Sequence, residues 1–111
     1  MPTPTKYLLF LLTLCFCYFP LQAQQTTIDS LQNVLKTAKE DTNKVNTLND
    51  LAWELLNTGE YEKSIKFANQ AIILSDQINY KKGKATSYNN IGNIYNYQGN
   101  YPEALKNYFP I

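Results

Sequence analysis

Apolar residues recur at helical spacing along most of the chain. Ile28, Leu31, Leu35 and Ala38 stand at i, i+3, i+7 and i+10, which predicts one face of a first helix. Thr26 or Thr27 is placed to cap its start, with Asp29 in the first turn, where the helix dipole favours negative charge. The polar run from Lys39 to Asn43 predicts its end. A second helix follows with Val45, Leu48, Leu51, Ala52 and Leu55 on one side, and Gly59 is positioned to stop it. Tyr61, Ile65, Ala68, Ile72 and the region of Leu74 predict a third helix reaching about Asn79. Ala85, Tyr88, Ile91, Gly92 and Tyr95 predict a fourth, closed by Gly99. Pro102 suits the first turn of a fifth helix that contains Leu105 and Tyr108. No alternating strand pattern competes, so the expected fold class is all-α.

The N-terminal stretch reads differently. Lys6 precedes an apolar run from Tyr7 to Phe19, interrupted only by Thr13, and Pro20 breaks it before Leu21-Gln22-Ala23. That order predicts a secretory signal peptide over residues 1–23, and hence a periplasmic or secreted chain. An uncleaved membrane anchor is the competing reading. Thirteen residues of helix reach only about 20 Å, against a hydrocarbon core of roughly 30 Å. Cys15 and Cys17 both lie in this segment, so cleavage leaves no thiol for a disulfide, a thiolate metal site or a Cys nucleophile.

The rest of the chain repeats itself at an offset of 40 residues. Leu48 pairs with Tyr88, Leu51 with Ile91, Ala52 with Gly92 and Leu55 with Tyr95. Further on, Gly59 pairs with Gly99, Tyr61 with Tyr101, Ser64 with Ala104 and Ile65 with Leu105, while Asn49/Asn89 and Lys66/Lys106 are identical. A period of this size signals a helical solenoid, whose single units cannot bury a face alone.

The residues Tyr88-Asn89-Asn90-Ile91-Gly92-Asn93-Ile94-Tyr95, then Gln98-Gly99-Asn100-Tyr101 and Ala104, resemble a tetratricopeptide repeat (TPR). Tyr88, Ile91, Gly92, Tyr95, Gly99, Tyr101, Ala104 and Tyr108 supply the aromatic, small and turn positions of that pattern. A weaker copy in register runs through Leu48, Leu51, Ala52, Leu55, Gly59, Tyr61, Ser64, Ala68 and Ala71. The resemblance implies a right-handed α-solenoid of about two helix-turn-helix repeats plus an N-terminal helix. The expected organisation is a capping helix and loop over 24–44, a first repeat over 45–84 and an incomplete second repeat over 85–111. Because 40 exceeds the family's usual 34, added length is expected between Ser75 and Lys84. The tyrosines at 61, 88, 95 and 101 are expected to pack within the repeats.

Composition narrows the function. From Gln24 onward nine lysines balance nine acids, so the cationic surplus that phosphate binding needs is missing and nucleic acid is not the expected partner. Every basic residue is Lys, and there is no His. The planar fork that grips phosphate and carboxylate groups is thus absent, as are the commonest general base and metal ligand. The acids are scattered rather than paired in an apolar setting. No enzyme activity, cofactor or metal site is expected. Lys81, Lys82 and Lys84 read as a solvated helix start.

The resemblance implies a protein-interaction scaffold whose concave face, lined by the first helix of each repeat, binds a peptide or protein partner. Asn89, Asn93, Asn96 and Asn100 share a helical spacing, and amides can pair with both donors and acceptors of an extended peptide. Asn49, Trp53, Asn89, Asn90, Asn93 and Asn96 are accordingly the candidate peptide-binding residues. Against this, such amides are often merely solvated, and Trp53 is equally suited to packing on the first helix. The alternative function is an exported input segment of a longer signal-transduction protein, such as a sensor histidine kinase. Tyr108-Phe109-Pro110-Ile111 stops within a helix, which points to a truncated chain. Membrane association is then expected only through an uncleaved signal or a missing C-terminal part, and self-association of the isolated chain is expected from its few repeats.

Overall fold

In the computed structural model, residues 22–110 are described, and the apolar N-terminal run and its cysteines lie outside them. Five helices account for nearly all of this span: α1 over 22–37, α2 over Thr42–Asn57, α3 over Tyr61–Gln77, α4 over Lys81–Tyr97 and α5 over Tyr101–Tyr108. No strand occurs among the described residues.

The three turns from α2 to α5 share one geometry. Gly59 and Gly99 have φ of 81° and 78°, and Asn79 has φ of 57°. At each turn two amides fold back onto the preceding helix. Gly59 N–H donates to Leu56 O and Glu60 N–H to Leu55 O. Asn79 and Tyr80 repeat this on Asp76 and Ser75, and Gly99 and Asn100 repeat it on Asn96 and Tyr95. The left-handed residue satisfies carbonyls that a helix end would otherwise leave bare. At the helix starts, Asp41 caps α2 by accepting from Lys44 N–H at 3.2 Å, and Asn100 caps α5 through Glu103 N–H.

Two start signals read from the sequence are corrected. Thr26 and Thr27 do not cap α1, because the helix already includes residue 22. Their hydroxyls donate to Gln22 O and Ala23 O one turn back. Likewise α4 starts at Lys81 rather than near Ala85. The extra length of the repeat is therefore taken up as helix, with only a three-residue turn between Gln77 and Lys81.

Packing follows the period. Ile28 of α1 joins Leu51 and Leu55 of α2, with Phe67 of α3 against them. Val45 and Leu48 meet Ala71 and Leu74, and Ile78 and Tyr80 close over that cluster. Ala52, Ala68 and Ile91 bring α2, α3 and α4 together. On α3 the fully buried positions are the small residues Ser64, Ala68, Ala71 and Ser75 plus Leu74, while Ile65 and Ile72 are only half-buried. Small side chains there let the helices approach closely. Helices α2 and α4 stand side by side, and α1 and α3 back onto α2. The first helix sits at the same 40-residue offset from α3, so it acts as the second helix of a preceding half-repeat.

Candidate functional site

The six candidate residues separate into three environments. Asn49 and Asn90 are 4% and 5% exposed and hold α2 to α4. Asn49 Nδ2 donates to Gly83 O at 3.0 Å, and its Oδ1 lies 2.7 Å from the Ser87 hydroxyl. Asn90 Nδ2 donates back to Asn49 O at 3.2 Å. The single Ser87 proton is shared, since Gly83 O is also 2.9 Å from Ser87 Oγ. These amides are consumed inside the fold, because an unpaired polar group at such a contact would cost about 1–3 kcal/mol. The close approach itself depends on Gly83, where an added Cβ would lie 2.5 Å from Val45 Cγ1.

Asn89 and Asn96 are exposed on the flank of α4 that corresponds to the flank of α2 covered by α4. Asn100 lies past the end of α4 and caps α5, so the row of four amides is not one helix face.

Trp53 and Asn93 occupy the third environment. On α2 the exposed residues Asn46, Asp50, Trp53 and Asn57 recur at i, i+4, i+7 and i+11, a single stripe. This stripe lies opposite Leu51 and Leu55, which pack on α1, and away from Ala52, which packs on α3. Thr86, Asn93 and Tyr97 continue it on α4, with buried Asn90 in the seam. Trp53 is 43% exposed and belongs to none of the core clusters, so the alternative of its packing on the first helix does not describe it. Asn93 is half-buried and its Oδ1 accepts from the Tyr108 hydroxyl, whose ring lies over Gly92. Tyr80 donates to Asn46 Oδ1 at 3.1 Å.

Sequence reasoning missed Gly83, Ser87, Asn46, Thr86 and Tyr97. A small residue four places before a serine at a helix start was the available signal for the first two. Tyr101 was expected to pack and is instead 62% exposed, whereas Tyr61, Tyr88 and Tyr95 are half-buried. Lys81 and Lys82 are exposed at the start of α4 as expected. Lys84 pairs with Asp76 at 2.7 Å, and that hydrogen bond and charge raise its pKa above the ordinary lysine value. Being solvent-exposed, the pair adds little stability.

The stripe offers indole and phenol surface, amides and hydroxyls, with Asp50 its one charge. Such a surface can hold a peptide backbone and an apolar side chain. Among the described residues no group of three or more His, Cys, Asp or Glu is arranged to hold a metal ion, and no helix is long and apolar enough to cross a membrane.

Neither the curated proteins nor the solved structures contain a significant match. A family model described as tetratricopeptide repeat matches residues 55–108, which run from the end of α2 through α5. The family is generally a non-catalytic mediator of protein–protein contacts. With the repeated helix pairs and their consecutive packing, that match identifies the described part of the chain as a helical-repeat solenoid of the tetratricopeptide-repeat type.

Proposed function

We propose that the chain is an exported scaffold that binds an extended peptide or a protein segment along the stripe of α2 and α4. The observation that carries the reading is the large exposed surface of Trp53, flanked by Asn46, Asp50 and Asn57, with Asn93 and Tyr97 alongside. Burying half an indole gives an anchor worth about 1–2 kcal/mol, and the neighbouring amides supply backbone partners. Asn49 and Asn90 act indirectly, by fixing the spacing of the two helices.

A photo-crosslinking residue at Trp53 or Tyr97 is expected to capture a partner of the source cell's exported fraction, and the same residue at Ile73 on α3 is expected to capture none. Equal capture from all three positions would overturn the reading. Export is tested by the mass of the mature chain, expected to begin near Gln24. A chain that retains residues 1–23 in the cytoplasm would remove that part of the proposal.

A further inference from the structure

Each helix of the α2 kind has a flank that receives the next. On α2 this flank presents Val45, Asn49 and Leu56, none more than 4% exposed. Helix α4 covers the Val45 and Asn49 end, with Gly83 against Val45 and the Asn49 amide held between Gly83 O and Ser87 Oγ. Forty residues on, the same register on α4 is Ala85, Asn89 and Asn96, and all three are exposed. Beside them Thr86, Tyr88, Asn107 and Tyr108 line an open depression of about 400 Å³. The α2–α4 interface is thus repeated as a surface on the far side of α4, with the same amide in the same place.

We infer that this flank of α4 docks a helix of a partner protein that carries a small residue in its first turn and a serine or threonine four places on. Asn89 then donates to the carbonyl of the small residue and accepts from the hydroxyl, as Asn49 does with Gly83 and Ser87. Two differences between the copies shape what is accepted. Ala85 replaces Val45, so the methyl that restricts position 83 to glycine is gone and alanine fits as well. Thr86 replaces Asn46, so the longer acceptor used by the Tyr80 hydroxyl is lost and an aromatic before the helix gains less. The flank is separate from the Trp53 stripe, and the inference does not rest on that reading.

The probe is a peptide with the sequence of residues 80–97, bridged by a lactam between Lys82 and a Thr86→Glu position. Without the bridge a helix of this length is marginal in water. Circular dichroism first confirms that the bridged peptide is helical, and fluorescence anisotropy then follows its binding to the full chain. Asn89→Ala in the chain is expected to weaken binding about tenfold, the scale of one or two hydrogen bonds at a closed helix contact. Ser87→Ala in the peptide is expected to cost the same, and both changes together no more than either. Trp53→Ala in the chain should leave affinity unchanged. A helical peptide that does not bind, an Asn89→Ala chain that binds it equally well, or a loss caused by Trp53→Ala instead would each overturn the inference. So would sedimentation showing that the chain alone self-associates through Asn89 while the peptide fails to compete, which would assign the flank to a second copy.

Discussion

At the scale of single residues, the same asparagine does different work in its two copies. Asn49→Ala removes a donor and an acceptor from a buried contact and is expected to destabilise the chain by about 1–3 kcal/mol. Asn89→Ala removes an exposed amide and should stay within roughly 0.5 kcal/mol, so urea melts of the two variants side by side check the assignment. Gly83→Ala brings a methyl to 2.5 Å from Val45 Cγ1 and 2.6 Å from the Tyr80 ring. Its cost should be about 1–3 kcal/mol despite alanine's better helix propensity, and Val45→Ala in the same chain should recover part of it. Ser75 is 1% exposed and its hydroxyl has no partner. Ser75→Ala should therefore be neutral or stabilising by up to about 1 kcal/mol, measured as a raised denaturant midpoint with an unchanged slope.

At the scale of elements, helix identity and most C-terminal ends were legible in the sequence. The two Gly-x-Tyr turns matched because a left-handed residue is a local requirement that one glycine meets. Gly59→Ala and Gly99→Ala meet no steric obstacle, since nothing lies within 4 Å of the added Cβ, so only the backbone conformation opposes them. Each should cost about 1 kcal/mol, and a thermal melt showing either to be neutral would contradict the turn geometry. Helix starts were less legible. Neither α3 nor α4 has a side-chain cap, so nothing local announced Lys81 as a beginning. Thr26 and Thr27 look like caps but bond backward within α1, because where a helix starts depends on residues further upstream.

At the scale of the whole molecule, two seventeen-residue helices and two three-residue turns make up the 40-residue period. Each helix packs mainly on its sequence neighbours, so stability is a sum of a few local interfaces. Leu105 and Phe109 remain 58% and 74% exposed on α5 and its end. Melting is accordingly expected to shift upward as chain concentration rises over about a hundredfold range, accompanied by larger species in sedimentation. A sharp melt of a monomer, independent of concentration, would count against this.

The repeat, the helical class and the packing positions from Leu48 to Tyr108 followed from residue order, because periodicity and turn chemistry act over a few neighbours. Which polar residues are available to a partner did not. Asn49, Asn89 and Asn90 are the same chemical group, and only the placement of α4 against α2 buries two of them and leaves the third exposed. Solvent access at a helix flank depends on what another helix, 34 to 41 residues away in the chain, brings up to it. Trp53 is the converse case. Its neighbours in sequence allowed a core role, and only the directions in which α1, α3 and α4 pack left its indole facing outward.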